Sequence, residues 1–436
     1  MHMENKLLDR VITVYFVAVG VLMYYFLTET INLGIFITYR HAFALVLAGS
    51  AFFVFLCKPN IARGVEAFKS AIIYSAPLLV TIVVSLFIWF VEQADVDIIS
   101  RGLSGAFIYT NMFSFALAAG AFLYIFGEKG IWYNLIAVLA ANILMILTII
   151  VENGLGNYFS ELIALITTFA AETGDIIVQA EVHELAFCLG AYLIYMFLKP
   201  KKNIVFLILL ALTLFCFLSA FKRIGIIAIV VSLGFGWMIN FIARYSGKIA
   251  MRVATFFTLT IVFVLVLYIA LIKLDAFELL EQAGIDTSGR VDIYNAVDRF
   301  YDFNPGFLGN GIGFLTYQLS SNMNVGVSSV HNDFLQYFID LGFWGYILWL
   351  VSMTLLRVRY FGRNGKIENA SLSFSLIVYL LIVSSTDNTM NYPFLTLVMA
   401  ILMIGHGYDD DVRVTERKMF GYVSDENRKK EGSMLL

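Results

Sequence analysis

Charged residues are scarce in this chain of 436 residues: only 14% are Asp, Glu, Lys or Arg, whereas 60% are hydrophobic. A soluble domain carries about 25% charged residues, so this composition excludes a soluble globular protein. Apolar runs of about 17 to 25 residues recur along nearly the whole length, and each is long enough to cross a hydrocarbon core about 30 Å thick. They leave no separate soluble domain, so we expect residues 1–436 to form one integral membrane domain.

Cysteine is also rare, and the three cysteines, Cys57, Cys188 and Cys216, all lie within or at the ends of apolar runs. Cysteine behaves there as a small hydrophobe, and the spacing fits neither a disulfide framework nor a zinc site. Ionisable residues are few deep inside the apolar runs. This scarcity argues against an ion pump or a proton-coupled transporter, because such residues mark the transport pathway.

The apolar runs predict an all-α polytopic membrane protein with about twelve transmembrane helices. The windows place these spans at residues 10–28, 36–56, 71–91, 104–126, 131–151, 185–198, 203–220, 224–243, 253–272, 343–357, 370–386 and 392–407. The connections on one side of the membrane carry 22 of the 29 basic residues. Because cytoplasmic loops are enriched in Lys and Arg, we assign to the cytoplasm that side, both termini and a polar tail at 408–436.

The longest connection, residues 273–342, then falls on the extracytoplasmic side, and loops beyond about 15 residues are usually functional. Few basic residues lie on that side, so each one needs a reason. The ones that cluster are Lys222 and Arg223 in a very short turn, with Arg290 and Arg299 in the long loop. Guanidinium groups next to lipid suit the bidentate recognition of phosphate. Arg40 and His41, near the outer end of the second span, are further candidate contacts to phosphate or lipid headgroups.

Residues 288–314, SGRVDIYNAVDRFYDFNPGFLGNGIGF, form one unit of the long loop. Ser288 can cap a helix that places Arg290 in its first turn. The apolar face of this helix would be Val291, Tyr294, Val297 and Tyr301. Arg290 would bind an anion, or it would pair with Asp286 or Asp292. The glycines at 306, 309, 311 and 313 would bring backbone N–H groups to an anion or a sugar, or they would form a turn that folds the loop back.

Residues 328–350, SSVHNDFLQYFIDLGFWGYILWL, begin with polar residues and run into an apolar helix. Ser328 and Ser329 can cap this helix, which would put His331 within its first turn. Histidine titrates near neutral pH, so it can take a proton from an attacking hydroxyl, or it can simply anchor a helix end. Three polar neighbours favour a site here: Asn332, Asp333 and Gln336.

These motifs, in this order, resemble the O-antigen ligase and Wzy-type polysaccharide polymerase superfamily. The resemblance rests on Gly289-Arg290 followed by the aromatic Tyr294, then the PGFLGNGIGF turn, then the helix VHNDFLQYFIDLGFWGYILWL. It extends to FLSAFKRIGIIAI at 217–229, where Arg223 matches an arginine that the family has in a short turn. The serine of that turn is displaced here to Ser219, Lys222 takes its place, and Tyr294 stands where tryptophan is more usual.

The resemblance implies a GT-C-like glycosyltransferase of the bacterial plasma membrane that needs neither a metal nor a cofactor. Its donor is a glycan on undecaprenyl pyrophosphate at the outer face, and its acceptor is a sugar hydroxyl. Arg223, Arg290 and Lys222 would bind the pyrophosphate, and His331 would orient or deprotonate the acceptor hydroxyl. Candidate acceptor or loop contacts are Asn332, Asp333, Tyr294 and Arg299.

Two reactions fit this resemblance. A polymerase extends one lipid-linked glycan with another, and a ligase moves a finished glycan onto lipid A-core or protein. We favour the polymerase, because the polar tail adds no acceptor-binding domain. A lipid-linked glycan transporter would share the twelve spans, but transporters place their sites near the midplane. Beyond the lipid-linked oligosaccharide and membrane lipid, a chain-length regulator protein is a candidate partner, and no nucleic-acid partner is expected.

Overall fold

The structure is a computed structural model of the chain. It describes residues 2–26, 30–32, 36–168, 183–220, 222–283, 289–321, 330–362, 367–389 and 392–420. The predicted caps Ser288, Ser328 and Ser329, and the predicted ion-pair partner Asp286, lie outside these residues.

The described residues are helical almost throughout. In chain order the α-helices are α1 His2–Tyr25, α2 Tyr39–Cys57, α3 Ile61–Tyr74, α4 Ala76–Val91, α5 Val96–Phe126, α6 Gly130–Asn153, α7 Leu155–Thr168, α8 His183–Leu198, α9 Ile204–Ser219, α10 Arg223–Ala243, α11 Gly247–Lys273, α12 Ala276–Gln282, α13 Arg290–Val297, α14 Phe314–Ser321, α15 Asp333–Val351, α16 Arg357–Phe361, α17 Ile367–Ser384, α18 Pro393–Gly405 and α19 Tyr408–Phe420. A π-helical turn, Ser352–Leu356, joins α15 to α16. Two three-residue strands, β1 Thr30–Asn32 and β2 Phe36–Thr38, form an antiparallel pair that the apolar windows do not predict.

Six helical stretches are long and apolar enough to cross a membrane, and α3 with α4, a pair bent by 53°, makes a seventh. One of the six, Met112–Asn153, spans 42 residues, which at about 1.5 Å per residue is twice the thickness of a bilayer core. It divides into α5 and α6 at Gly127, where φ is +59°. The bent pair α3–α4 counts as one segment, and α5 and α6 count as two. With the shorter apolar helices α8, α9, α17 and α18, the described residues then contain twelve apolar segments. The predicted all-α polytopic membrane fold is confirmed.

Two predicted spans have different bounds in the structure. The window at 71–91 covers only the end of α3 and all of α4, because α3 is amphipathic, with Glu66 and Lys69 on its polar face. The window at 343–357 covers only the second part of a helix that begins at Asp333. The first part of α15 carries polar residues that are buried in protein, so hydropathy alone does not detect it.

Arg357 is also placed differently from the prediction, which counted it in a cytoplasmic connection. It begins α16 and is only 6% exposed. Its Nε donates to the carbonyl oxygen of Tyr74 at 3.0 Å, and the guanidinium carbon lies 3.9 Å from the centre of the Tyr74 ring. Tyr74 is the last residue of α3, so the cation stabilises the negative end of that helix where the chain bends into α4.

Contacts between connections divide the bundle into two ends. At one end, which we call the basic end, Arg63 pairs with Asp409 at 3.1 Å, and the Glu128 carboxylate accepts a hydrogen bond from the Gly407 N–H at 3.0 Å. Asp409 thus belongs to a docked helix, α19, within the predicted polar tail. At the opposite end, Lys273 binds Asp298 at 2.7 Å, and Arg290 reaches the connection between α17 and α18.

The glycine-rich turn packs against α15 at a break in that helix. Gly342, at φ +69°, interrupts α15, and a Cβ there would lie 2.2 Å from the carbonyl carbon of Leu308. The Gly311 N–H donates to the Asp340 carbonyl oxygen at 2.7 Å, and the Gly313 N–H donates to the Asp340 carboxylate at 3.0 Å. Of the two predicted uses of these glycines, the structure shows the turn that folds the loop back.

Candidate active site

Five polar residues from four chain segments meet at the end opposite the basic end. We call this group the outer cluster, and it consists of Lys222, Arg290, His331, Asp333 and Asp387. Lys222 precedes α10, Arg290 begins α13, His331 and Asp333 lie at the start of α15, and Asp387 follows α17. Four of these residues were predicted from the sequence, and Asp387 was not.

Arg290 is placed at the cluster by α13, of which it is the first residue. Gly289, at φ +72°, precedes the helix, and Val291, Tyr294 and Val297 are buried as the predicted apolar face requires. The guanidinium Nη2 donates to the carbonyl oxygen of Thr386 at 2.8 Å. Arg290 is therefore held by the connection after α17.

His331 lies just before α15, and not within its first turn as predicted. The N-cap is Asn332, whose side-chain oxygen accepts hydrogen bonds from the N–H groups of Phe334 at 3.1 Å and Leu335 at 3.2 Å. His331 itself has φ +49°, a left-handed conformation that is uncommon outside glycine and that often marks a functional position. Its side chain is 48% exposed, so the imidazole is accessible from outside the bundle.

Asp387 links His331 to the rest of the cluster. Its carboxylate lies 3.8 Å from His331 Nδ1 and accepts hydrogen bonds from the Tyr392 hydroxyl and the Asn388 N–H, both at 2.8 Å. Burial raises the pKa of this carboxyl, but His331, Asn388, Tyr392 and the positive charge of Lys222 outweigh burial and lower the pKa below its ordinary value. Asp387 is thus a carboxylate at neutral pH, and it lies where it can orient the imidazole.

A buried hydrogen-bond network fixes the start of α15 to two other elements. The Asn332 amide donates to the hydroxyl of Tyr268 on α11 at 3.0 Å and to that of Tyr294 on α13 at 2.9 Å. Asp333 is fully buried and accepts a hydrogen bond from the Thr389 hydroxyl at 3.2 Å. Asn332, Asp333 and Tyr294, predicted as acceptor or loop contacts, lie beneath the exposed imidazole, where they position the backbone that carries it.

The remaining predicted residues lie outside the outer cluster. Arg223 is exposed at the first position of α10, beside Lys222. Arg299 lies on the 3-10 turn after α13, with its guanidinium carbon 4.8 Å from the centre of the Phe300 ring, and no described contact joins it to the outer cluster. Arg40 pairs with the buried carboxylate of Glu184 at 3.3 Å, and Glu184 also accepts the Phe394 N–H at the start of α18.

In the part of the chain that the structure describes, no group of three or more His, Cys, Asp or Glu side chains is arranged to hold a metal ion. The positive charge at the outer cluster comes from Lys222 and Arg290.

Sequence reasoning missed the connection after α17, which supplies Thr386, Asp387, Thr389 and Tyr392. A signal was present in the sequence: TDNTMNY, residues 386–392, is a polar run in a very short connection on the same side as Lys222 and Arg223. What the sequence could not show is that this run meets His331, which lies 56 residues before Asp387 in the chain.

Comparison with protein families identifies the central part of the chain. A family model described as O-antigen ligase matches residues 185–350. Those residues are similar to the O-antigen ligase family. The suspected relationship to the O-antigen ligase and polymerase superfamily is thereby confirmed. A search of curated proteins gives no match for this chain.

The matched segment extends from α8 to the end of α15. It contains Lys222, Arg223, Arg290, His331 and Asp333, and so includes four members of the outer cluster. Asp387 and Tyr392 lie beyond its limit at residue 350. The outer cluster therefore combines the matched segment with the connection between the last two apolar helices of the bundle.

Proposed function

We propose that the protein is a GT-C-type glycosyltransferase that moves a glycan from undecaprenyl pyrophosphate to a sugar hydroxyl. The observation that carries this proposal is the convergence of Arg290 and His331 on adjacent residues of one connection. Arg290 binds Thr386 at 2.8 Å, and His331 lies 3.8 Å from Asp387. A cation for a departing phosphate and a group that can accept a proton are thus held side by side.

The donor pyrophosphate is the natural partner of the cationic side of the cluster. Arg290 and Lys222 face the same connection, and the exposed Arg223 is next to Lys222 along the chain. As the glycosyl bond breaks, negative charge grows on the phosphate oxygen that leaves. Preorganised cations stabilise that charge more in the transition state than in the ground state, which is what lowers the barrier.

The acceptor hydroxyl is the natural partner of His331. Its oxygen attacks the anomeric carbon of the donor glycan, and the bond from that carbon to the pyrophosphate oxygen breaks with its electron pair. Undecaprenyl pyrophosphate leaves, and the hydroxyl proton passes to the imidazole, which Asp387 orients. Asp387 does not touch the substrates in this scheme, so it is a positioning residue.

The acceptor that we propose is a second lipid-linked repeat unit, which makes the protein a polysaccharide polymerase. Exposed apolar side chains beside the site, Leu274 at 72% and Leu279 at 63%, fit a loop that rests at the level of the lipid and meets lipid-linked substrates. A ligase that transfers the glycan to lipid A-core is the second candidate, and the description of the matching family favours it.

The test of the reaction uses the full chain, purified in detergent, with a native lipid-linked repeat unit as sole substrate and a gel that resolves product length. A ladder of products supports the polymerase. Transfer that starts only when lipid A-core is added supports the ligase. No transfer in either assay, together with movement of the lipid-linked glycan across a vesicle membrane, would contradict the glycosyltransferase and support a transporter.

We also predict that transfer needs no divalent metal. Lys222 and Arg290 place positive charge where the pyrophosphate leaves, which is the role that a metal ion serves in other transferases. Transfer measured in excess EDTA should therefore equal transfer measured in Mg²⁺. A rate that collapses in EDTA and returns with Mg²⁺ would show that the lysine and arginine are insufficient.

We propose that the outer cluster faces away from the cytoplasm in the bacterial inner membrane, with both termini and the basic end in the cytoplasm. The basis is the distribution of lysine and arginine between the two ends of the bundle. In this orientation the cluster meets substrates that have already crossed to the outer leaflet. A chain-length regulator remains a candidate partner.

A further inference from the structure

A polar pocket lies at the basic end, far from the outer cluster, and the proposed reaction does not use it. Its volume is about 580 Å³. It is formed where α6 begins and where α8 and α18 end, so it opens between membrane helices at one end of the bundle. The side chains that define it chemically are Lys129, Trp132, Lys199, Lys201 and His406.

The pocket has a positive charge balance. Three lysines line it, and the one carboxylate in its lining, Glu128, is engaged by the Gly407 N–H at 3.0 Å. The carbonyl ends of α8 and α18 offset part of the lysine charge, whereas the N-terminus of α6 adds to it. A net positive pocket remains, which suits an anion.

Aromatic rings fix the geometry of the pocket wall. Lys201 Nζ lies 4.5 Å from the centre of the Trp132 ring, a cation–π contact that holds the ammonium group at the pocket rim. Trp132 is held in turn by edge contacts with Tyr195 at 5.8 Å and Phe206 at 6.0 Å. Tryptophan and lysine in this arrangement are typical of the level of lipid headgroups.

An apolar surface adjoins the pocket on α9. Ile204, Val205 and Leu207 are 67%, 62% and 55% exposed, although they follow the lysine-rich connection within a few residues. On a membrane helix these side chains face lipid tails. A ligand with a phosphate at one end and acyl chains at the other would therefore contact the lysines and this surface together.

We propose that the pocket binds the phosphodiester headgroup of an anionic phospholipid from the leaflet at the basic end. Basic pockets between transmembrane helices on the cytoplasmic side bind acidic headgroups in this way. The lysines bind the phosphate, Trp132 packs beside the glycerol region, and the exposed residues of α9 contact the acyl chains. A bound lipid joins the ends of α6, α8 and α18 and stabilises the folded protein by mass action.

The experiment measures the thermal unfolding midpoint of the full chain in detergent during titration with phosphatidylglycerol, phosphatidylcholine or inorganic phosphate. Phosphatidylglycerol should raise the midpoint saturably, and phosphatidylcholine should not. Inorganic phosphate should neither raise the midpoint nor compete. If phosphate alone reproduces the effect, the site takes free phosphate, and the lipid proposal is wrong. An equal effect of phosphatidylcholine would also contradict it.

Lysine variants locate the effect. Each of Lys129→Gln, Lys199→Gln and Lys201→Gln should weaken phosphatidylglycerol binding by about five-fold, and the triple variant should lose the response. Lys248→Gln, an exposed lysine at the start of α11 and outside the pocket, should respond like the wild type. If the triple variant does not fold, the single variants decide the question. Wild-type binding in all three singles would overturn the assignment.

Discussion

At the scale of single residues, the site depends on a pair that is distant in sequence. His331 has a strained left-handed backbone and an exposed imidazole, and Asp387 lies 3.8 Å away with its own hydrogen bonds to Tyr392 and Asn388. A carboxylate in this position can orient the imidazole. The buried environment of Asp387 would otherwise favour the neutral acid, so the surrounding hydrogen-bond donors are what keep Asp387 ionised.

Removing the charge of Asp387 should reduce transfer without unfolding the protein. We expect Asp387→Asn to lower the rate by about 10²-fold, because the imidazole loses its orientation while Lys222 and Arg290, the proposed pyrophosphate-binding cations, remain. Asp302→Asn, an exposed aspartate in the same outer loop, is the matched control and should keep the wild-type rate. The measurement is the initial rate of glycan transfer by purified protein. A wild-type rate in Asp387→Asn would remove this residue from the account.

At the scale of secondary-structure elements, the start of α15 joins the site to the bundle. Asn332 caps α15 through its oxygen and binds tyrosines of α11 and α13 through its nitrogen, so one side chain relates three helices. The side chain of Asn60, another N-cap, only caps its own helix. Asn60 caps α3 at the basic end, where its oxygen accepts the Arg63 N–H at 3.0 Å.

The two caps give a paired prediction. Asn332→Ala and Asn60→Ala should each lower stability by about 1 kcal/mol through the lost cap. Asn332→Ala should cost somewhat more, because the hydroxyls of the half-buried Tyr268 and the buried Tyr294 also lose a partner. Only Asn332→Ala should also reduce the transfer rate. Unfolding midpoints and rates measured on both variants test this. An equal loss of transfer in both would mean that general stability, rather than the position of α15, limits the rate.

The elements themselves could largely be predicted from the sequence, because each needs only a local apolar run or cap. The twelve apolar segments and the helix that carries Arg290 are of this kind. The bend between α3 and α4 has a local signal in Pro77, at the second position of α4, because proline does not continue a helix. The hydrogen bond from Arg357 to the Tyr74 carbonyl was not predictable, since Arg357 lies 283 residues later in the chain. The role of Asp387 was missed for the same reason, because its meeting with His331 is a tertiary contact.

At the scale of the whole molecule, the bundle has a basic end and an opposite end with the outer cluster. The proposed orientation predicts which end an impermeant reagent can reach. In a Cys57→Ser background, Asp302→Cys should react with a membrane-impermeant maleimide in intact spheroplasts. Lys202→Cys, at the basic end, should react only after the membrane is permeabilised. Both positions are exposed, so a difference in labelling between them cannot come from burial in the protein. The reverse pattern would show that the outer cluster faces the cytoplasm.

The most direct test of the central claim compares transfer from a native lipid-linked repeat unit by the wild type, Arg290→Ala and His331→Ala. Arg101→Ala, an exposed arginine over the Tyr317 ring and outside the cluster, is the matched control. All four proteins must show the same unfolding midpoint within error. We predict that Arg290→Ala and His331→Ala lose product formation while Arg101→Ala keeps it. Wild-type product formation by both cluster variants would show that the chemistry takes place elsewhere in the molecule.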